Sequence, residues 1–385
     1  MLTPACILLL GISGVFLIYS AQLYTGRSQY IMQIVWLFVG AGVYVTASMI
    51  DYKFYLKHSH WVLFGAIILL LLLHTPLGEE RFGARRWINL RFFSFQPSEA
   101  AKLGTLIAVA SLLARSKVRT TRQSLQVLVR VGLIISVPML LIFAQPDLGS
   151  ALVIPPMVFA LLYVSQLPKS FFAIAIGLFM LFVALIGFDI YRYNKFLDEK
   201  NLTPTSQTGI FEKHSWVPLR DYQRNRILSF VAPAKVDPLG IGWNLSQSLI
   251  SVGSGGLTGK GWREGTQAKL GYLPRAVAHN DFIFSVLAEE KGFLGSSFVI
   301  ALYGVILCNG IRIAGIAKDR FGTLLALGAT IILSVHVLVN IGMTIGLMPI
   351  TGLPLPFLSY GGSFLLSCCL LQGLIQSVYR HRKEI

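Results

Sequence analysis

Long apolar runs alternate with short polar segments along most of this chain. Ten of these runs are each long enough to cross a hydrocarbon core of about 30 Å as a helix. They cover residues 4–20, 30–50, 59–76, 97–114, 125–144, 148–166, 170–188, 282–308, 321–346 and 358–379. One long polar segment, residues 189–281, separates the seventh run from the eighth. The pattern predicts an all-α polytopic membrane protein, a single domain over residues 1–385 with ten transmembrane helices and one large loop.

The composition supports a membrane protein and excludes an ordinary soluble one. Charged residues make up 13% of the chain and the mean hydropathy is +0.66, whereas soluble domains carry about 25% charged residues. The net charge of +16 would suggest nucleic acid binding in a soluble domain. Here it is explained by basic residues that fix topology and meet anionic headgroups, so we expect membrane lipid and no nucleic acid as partners.

Basic residues in the short loops predict the orientation. One face of the membrane collects most of them: Lys53, Lys57, Arg115, Lys117, Arg119, Arg122, Arg130, Lys169, Arg312, Lys318, Arg320, Arg380, Arg382 and Lys383. The other face has fewer: Arg27, Arg81, Arg85, Arg86 and Arg91. Short cytoplasmic loops are enriched in Lys and Arg, so both termini are predicted to be cytoplasmic. The 189–281 loop is then extracytoplasmic.

Charged residues at the start of two predicted spans have both structural and functional interpretations. Glu99 and Lys102 are three residues apart and therefore lie on one helix face. They form either a structural ion pair or part of a functional site, since intramembrane charges are costly. Asp147 follows Pro146 and precedes Gly149, a pattern typical of a turn, and it could cap the next helix. For Asp147 the structural interpretation is favoured.

Several polar segments could bind phosphate. Arg85, Arg86 and Trp87 offer guanidinium groups and an indole at a membrane interface, although simple interfacial anchoring explains them equally well. Arg224 lies in a basic stretch, 222–227, of the long loop. The glycine-dense stretch 253–261, which contains Lys260, does not match the nucleotide-binding P-loop pattern. Its backbone amides could cradle a phosphate, or it could be a flexible turn.

Asp281 ends the long loop where the chain re-enters the membrane. A carboxylate beside a low-dielectric wall is a plausible general base, but Asp281 could equally serve as the N-cap of the eighth span. From the residues alone these two interpretations stay equally supported. Glu289 and Glu290 follow within the span, and at least one should face the protein interior or water. The stretch 354–363, rich in Pro and Gly, predicts an irregular segment lining a cavity.

In sequence the chain resembles the SEDS family, the glycosyltransferases of shape, elongation, division and sporulation. The resemblance covers nearly the whole chain and lies in an ordered series of motifs: Gly-Ala-Arg-Arg-Trp-Ile at 83–88, Gln-Pro-Ser-Glu at 96–99 with Lys102, Gln-Pro-Asp-Leu-Gly at 145–149, Asp237-Pro238 with Gly240, Gly242 and Trp243, Gln247-Ser248, the stretch 253–261, Gly265-Thr266-Gln267, His279 with Asp281 to Phe284, Glu289-Glu290 with Gly292, and Pro-Leu-Pro-Phe-Leu-Ser-Tyr-Gly-Gly-Ser at 354–363. Asn280 departs from the family, which usually has Thr there.

The resemblance implies an inverting glycosyltransferase in the bacterial cytoplasmic membrane, which polymerises lipid II outside the cytoplasm and releases undecaprenyl pyrophosphate. The family's catalytic Asp falls on Asp281, which favours catalysis over capping. Substrate contacts are expected at a larger set of residues: Arg85, Arg86, Trp87, Glu99, Lys102, Arg224, Lys260, Gln267, His279, Ser359 and Tyr360. The resemblance implies a divalent cation, Mg²⁺ or Mn²⁺, without identifying its ligands, and no organic cofactor. The expected partners are a class B penicillin-binding protein and other proteins of the elongation complex.

Two other functions fit parts of the sequence. A lipid II flippase would also have ten spans and intramembrane charges, but transport does not require a long external loop that ends in a carboxylate. A scaffold that recruits a transpeptidase is compatible with the enzymatic function.

Overall fold

The computed structural model describes residues 2–23, 28–81, 84–89, 94–116, 120–165, 167–200, 202, 209–217, 219–232, 241–273 and 278–382. Two parts of the family motifs, Gly83 and residues 237–240, lie outside these ranges. The described residues form 14 α-helices: α1 (Leu2–Gln22), α2 (Gln29–Met49), α3 (Tyr52–Lys57), α4 (Ser59–Leu72), α5 (Pro97–Arg115), α6 (Thr121–Ala144), α7 (Leu148–Val164), α8 (Lys169–Lys200), α9 (Asp221–Val231), α10 (Ile241–Ser254), α11 (Thr266–Leu270), α12 (Ile283–Gly315), α13 (Arg320–Thr344) and α14 (Gly362–Arg380).

Each of the ten predicted spans coincides with a helix. Within the described residues, seven helices are long and apolar enough to cross a membrane, namely α1, α2, α6, α8, α12, α13 and α14. The helices α4 and α7 are apolar but shorter. The helix α5 begins with the charged pair Glu99 and Lys102. The structure therefore shows a polytopic helical membrane protein, while the count of ten spans stays a prediction.

Two features of the sequence prediction need correction. The chain is not purely helical, because β1 (Gly78–Arg81), β2 (Ala84–Asn89) and β3 (Ser94–Phe95) form an antiparallel sheet in the order β1-β2-β3. The apolar run that was predicted to end at residue 188 continues as helix α8 to Lys200. The long loop also contains structure of its own, namely a 3₁₀ turn (Phe211–His214) and the helices α9, α10 and α11.

The central part of the bundle is formed by α13, which packs against α5, α7, α12 and α14. Around it, α2 packs on α14, α4 on α5, and α1 on α12. These interior helices carry the main apolar core. In α8, by contrast, the apolar segment contains no buried residue, and the buried residues of the helix, Asp189, Ile190, Tyr193 and Leu197, all follow that segment. There α8 packs against α9, at the base of the long loop.

Local polar groups explain where several helices begin. The side chain of Asp319 accepts a hydrogen bond from the Gly322 amide at 2.8 Å and so caps α13, which satisfies one of the amides left free at a helix start. Thr120 and Gln123 form a reciprocal capping box at the start of α6. Pro97 occupies the first turn of α5, where its missing N–H costs no hydrogen bond.

The helix α12 is interrupted near its first third. Gly292 has φ +63° and ψ −160°, a conformation that breaks the helical hydrogen-bond ladder. A Cβ atom at this position would lie 2.3 Å from the backbone nitrogen of Gly259. Only glycine therefore fits, both for its backbone conformation and for the close approach of the neighbouring chain.

Candidate active site

Asp281 lies in a turn directly before α12, where several extracytoplasmic segments of the predicted topology meet. Its side chain is half-buried. The Asn340 Nδ2 of α13 donates to the Asp281 carbonyl at 2.9 Å. A Cβ atom added to Gly352 would lie 3.5 Å from the Asp281 Oδ2, so the 350–353 segment forms one wall beside the carboxylate. The carboxylate therefore lies against the Gly352 segment, and Asp281 keeps part of its surface exposed.

The capping interpretation of Asp281 is wrong. Phe282 takes the N-cap position of α12. Among the residues that the structure describes, no backbone or side-chain donor forms a hydrogen bond with the Asp281 carboxylate. The carboxylate is thus left available for a ligand.

The surroundings of Asp281 set its proton affinity. Burial raises the pKa of the Asp281 carboxyl from 3.8 to about 6, and the negative charge of Asp147 acts in the same direction. The guanidinium groups of Arg226 and Arg86 oppose this increase in the pKa. A carboxylate with a pKa near 6 is still ionised at neutral pH and is a stronger base than an ordinary Asp.

Arg86 and Asp147 hold the turn between α6 and α7 near this carboxylate. The Arg86 Nε donates to the Gln145 carbonyl at 3.2 Å, and its Nη2 donates to the Pro146 carbonyl. The Asp147 Oδ1 accepts from the Ser150 amide at 3.2 Å at the start of α7. The capping interpretation of Asp147 is confirmed. Arg86 is brought close to Asp281, while its predicted contact with substrate stays a prediction.

Arg85 and Trp87 lie beside Arg86 on β2. The Arg85 side chain is exposed, and its Nε is 3.6 Å from the Glu80 carboxylate, which is also exposed. Trp87 is half-buried and stands opposite Glu79 in the β1-β2 register. Surface ion pairs of this kind contribute about 0–1 kcal/mol, so Arg85 could exchange Glu80 for a phosphate at little cost.

The predicted substrate residues Ser359 and Tyr360 hold the turn that carries His279 and Asp281. The Ser359 Oγ donates to the Asn280 carbonyl at 2.6 Å and is itself buried. The Tyr360 amide donates to the His279 carbonyl at 3.0 Å, and the two rings are 5.6 Å apart. Substrate contact by Ser359 is not supported by this geometry, because its hydroxyl lies inside the protein.

The glycine-dense stretch 253–261 completes the broken helix α12. The amides of Phe293 and Leu294 donate to the carbonyls of Gly256 and Leu257 at 2.9 and 3.0 Å. In the opposite direction, the Lys260 amide donates to the Glu289 carbonyl and the Gly261 amide to the Glu290 carbonyl, both at 3.0 Å. The amides of Lys260 and Gly261 are therefore engaged in the protein and do not cradle a phosphate. The stretch is a backbone partner for α12, a role that neither sequence interpretation included.

Lys260 and Gln267 converge on Glu289, which is fully buried in α12. The Glu289 Oε1 accepts from the Lys260 Nζ at 2.6 Å, the Thr266 Oγ1 at 2.9 Å and the Gln267 amide at 3.0 Å. The ammonium of Lys260 thus neutralises a buried carboxylate, as such a charge requires. The structure therefore assigns Lys260 a structural ion pair, and its contact with substrate stays a prediction.

Arg224 is a structural residue. Its side chain has 0% exposure, and its Nε donates to Asp189 at 2.8 Å while its Nη1 is 3.2 Å from Asp221. It also donates to the carbonyls of Leu219 and Val217. This enclosure does not support the predicted substrate contact of Arg224, which stays a prediction.

Arg226 is the guanidinium of α9 that reaches Asp281. Residues two apart on a helix point about 200° apart, so Arg224 and Arg226 face opposite sides of α9. Arg226 acts electrostatically on Asp281 and is 3.5 Å from the Ile350 carbonyl. From the sequence, the helical period of α9 predicts that the two arginines lie on different faces of the helix. It does not predict which face borders the site.

Glu99 and Lys102 form the ion pair that their spacing allows. The Lys102 Nζ lies 2.8 Å from the Glu99 Oε1 and 2.9 Å from the His336 Nε2, and all three side chains are buried. The structural interpretation is supported, while contact with substrate stays a prediction. His336 was missed because nothing in the sequence pairs α13 with α5.

The part of the chain that the structure describes contains no cage of protein ligands for a divalent cation. Within the described ranges, no group of three or more His, Cys, Asp or Glu side chains is suitable for a metal ion. Asp147, the carboxylate that acts on Asp281, already uses its oxygens to cap α7 and to accept from Gln96. The described residues thus provide no complete cage for a resident metal, and the divalent cation stays a prediction.

Comparison with known proteins agrees with this architecture. The family model of the FtsW, RodA and SpoVE proteins, described as "Cell cycle protein", matches residues 1–384. The peptidoglycan glycosyltransferase MrdB of Escherichia coli K12 is 36% identical over 318 residues, which cover 83% of this chain and 77% of MrdB. The peptidoglycan glycosyltransferase RodA of Treponema pallidum is 32% identical, with coverage of 95% and 94%.

Solved structures show the same fold over the whole chain. One is a chain from a structure reported as the structural coordination of polymerization and crosslinking by a peptidoglycan synthase complex. It has a TM-score of 0.76 and 29% identity, with coverage of 100% of this chain and 98% of that chain. The crystal structure of the rod shape determining protein RodA of Thermus thermophilus has a TM-score of 0.67 and 25% identity, with coverage of 100% and 97%. The chain therefore belongs to the FtsW, RodA and SpoVE family of cell cycle proteins.

Proposed function

We propose that this protein is a peptidoglycan glycosyltransferase that polymerises lipid II into β-1,4-linked glycan strands for cell elongation and shape. Family membership over residues 1–384 and the names of its relatives support this activity. The similarity to MrdB and to RodA supports a role in elongation. The observation that carries the proposal is the half-buried Asp281 carboxylate with its raised pKa and its two arginine neighbours.

Asp281 acts as the general base. It takes the proton from the 4-hydroxyl of the acceptor N-acetylglucosamine, and the hydroxyl oxygen attacks the anomeric carbon of the donor N-acetylmuramic acid. The new β-1,4 bond forms as the bond to the pyrophosphate oxygen breaks, with inversion from α to β. The leaving group is undecaprenyl pyrophosphate, and the proton leaves Asp281 to solvent. Partial burial makes this carboxylate a suitable base at neutral pH, because it raises its pKa to about 6.

The leaving pyrophosphate needs positive charge. Arg86 and Arg226 are both close enough to act on the Asp281 carboxylate, and Arg85 lies next to Arg86 with an exposed side chain. Guanidinium groups bind phosphate oxygens bidentately and stabilise the charge that develops on a leaving phosphate. These three arginines are therefore the preferred pyrophosphate ligands.

The membrane arrangement follows from the same proposal. In the proposed topology, with ten spans and both termini in the cytoplasm, Asp281 lies on the outer side of the cytoplasmic membrane, where the sugars of lipid II are exposed. A class B penicillin-binding protein is the proposed partner, since the structurally similar chain comes from a complex of polymerization and crosslinking. Its transpeptidase would crosslink the strands made here.

The test is polymerisation of lipid II by the purified protein with its cognate transpeptidase. Wild type should make glycan strands and Asp281→Asn should make none, at equal partner binding. Asp198→Asn, which changes an exposed carboxylate at the end of α8, is the matched control and should retain activity. Equal product from wild type and Asp281→Asn would refute Asp281 as the base. No product from wild type would favour the flippase or scaffold function.

A further inference from the structure

Asn340 joins two backbone segments at the candidate active site. It lies on α13 with 0% exposure. Its Nδ2 donates to the Asp281 carbonyl at 2.9 Å and to the Leu353 carbonyl at 2.7 Å. Both hydrogens of one amide group are therefore used, one on each segment.

The chemistry of the two partners fixes the orientation of this amide. Both are carbonyl oxygens, which only accept hydrogen bonds. An amide turned by 180° would place the Asn340 Oδ1 against two other acceptors. The side chain must therefore present its NH₂ group to Asp281 and Leu353, and no acceptor-only side chain of the same shape could replace it.

The two segments that Asn340 holds together, which we call the clamped segments, lie next to each other at the Asp281 carboxylate. One segment carries Asp281 itself. The other carries Gly352, whose added Cβ would be 3.5 Å from the Asp281 Oδ2. The clamp thus fixes the backbone from which the carboxylate projects and the wall that it faces.

A second residue of α13 supports the same wall. His336 lies four residues before Asn340 and therefore on the same helix face. Its Nε2 is 2.9 Å from the Lys102 Nζ, and its Nδ1 is 3.2 Å from the Pro354 carbonyl. An ammonium group only donates, so the Nε2 accepts and the Nδ1 donates to Pro354. One face of α13 therefore holds the adjacent carbonyls of residues 353 and 354.

We propose that Asn340 is a positioning residue for glycosyl transfer, which holds the Asp281 carboxylate at the distance and angle needed to reach the acceptor hydroxyl. The inference rests on the proposed function of Asp281 as the base. Asn340 does not touch substrate, because its amide is buried and occupied by protein carbonyls. Asn340 therefore acts on the rate of the chemical step and not on substrate binding.

The experiment compares Asn340→Leu, Asn340→Asp and Asn340→Ser with wild type in lipid II polymerisation. Leu has a similar size but no donor. Asp has the same shape, and burial against two carbonyl oxygens keeps its carboxyl protonated, so it retains one donor. We expect kcat to fall about 100-fold in Asn340→Leu, the size of effect that a misplacement of about 1 Å produces, and less in Asn340→Asp, with KM nearly unchanged in both. The hydroxyl of Ser is too short to reach either carbonyl, so Asn340→Ser should lose as much as Asn340→Leu.

Asn309→Leu is the matched control. Asn309 lies on α12, and its Nδ2 donates to the Thr3 Oγ1 at 2.7 Å, which joins α12 to α1 away from Asp281. Asn309→Leu also removes a hydrogen bond that a side-chain amide donates to another part of the chain. We expect kcat close to that of wild type.

The dependence of kcat on pH separates positioning from a change in the proton affinity of Asp281. The charged groups that act on Asp281 are Arg226, Arg86 and Asp147, and all three are unchanged in the variants. None of the substitutions adds a charge beside Asp281, because an Asp buried at position 340 is protonated. Loss of positioning should therefore lower kcat without moving the acid limb of the pH–rate profile, whereas a moved limb would show that the substitution acts on the pKa of Asp281 instead and would overturn the inference.

Rates are normalised to the folded, monodisperse fraction of each protein. A kcat for Asn340→Leu within about threefold of wild type, while Asp281→Asn is inactive, overturns the inference and leaves the proposed function standing. Loss of rate that only tracks loss of folded protein in all three Asn340 variants also overturns it. If wild type and Asp281→Asn are equally active, the proposed base fails first, and the positioning role falls with it.

Discussion

Replacing Asp281 by Asn should stabilise the protein while it abolishes activity. The pKa of the Asp281 carboxyl is raised from 3.8 to about 6 in the folded protein, so the fold favours the protonated form. The carboxylate therefore destabilises the fold at neutral pH. A difference of about 2 pKa units at 1.36 kcal/mol per unit gives about 3 kcal/mol. Asn removes the charge at nearly the same size and should recover most of this energy.

The assay is thermal unfolding of the purified proteins in detergent between pH 4 and pH 8. For a chain of this size, about 3 kcal/mol corresponds to a rise in Tm of roughly 4 °C. The sign follows from the raised pKa. The wild-type fold is most favoured below pH 4, and it loses this stability as pH rises to about 6. The Tm difference between Asp281→Asn and wild type should therefore grow from pH 4 to pH 6 and then level off. A variant that is no more stable than wild type at pH 7.5, or a difference that does not shrink towards pH 4, would refute the reasoning.

Three further predictions concern the surroundings of the site. Arg226→Gln should move the acid limb of the pH–rate profile to higher pH, because Arg226 lowers the pKa of Asp281; an unmoved limb would exclude this coupling. Lys102→Met should destabilise the fold by about 3–5 kcal/mol by leaving Glu99 as an unpaired buried charge, and Glu99→Gln in the same chain should restore part of this loss in thermal unfolding. Gly292→Ala should prevent stable folding because its Cβ would lie 2.3 Å from a backbone nitrogen; the control Gly304→Ala, which has open space, should purify normally as judged by size-exclusion chromatography.

The long apolar runs were sufficient to predict most of the helical framework. Every predicted span coincides with a helix, because a run of some 20 apolar residues in a bilayer has few alternatives to the helix. The end of α8 was missed, since the polar residues that follow Asp189 remain helical by packing on α9. The small sheet was also missed, as its strands are short and carry no clear alternation.

The local interactions in the site were predictable only where they involve near neighbours. The Glu99–Lys102 pair and the cap by Asp147 follow from spacings of three residues. The partners of Asp281 come from α9, β2 and α13, which are distant in sequence. For the same reason the sequence favoured Arg224 over Arg226 and gave no sign of Asn340. Glycine density likewise suggested a phosphate loop, because the break in α12 that it fits was invisible.

In the proposed topology, the length of α8 determines how far the extracytoplasmic part of the molecule lies from the bilayer centre. Its 32 residues extend about 48 Å, so about 18 Å project beyond a hydrocarbon core of about 30 Å. If Lys169 marks the inner edge of that core, Asp189 lies about 30 Å away, at the outer edge. The buried pair of Asp189 and Arg224 then stands at the depth of the lipid headgroups. A substrate anchored by an isoprenoid chain has its pyrophosphate at this same depth. The length of α8 therefore puts the ion pair level with that pyrophosphate.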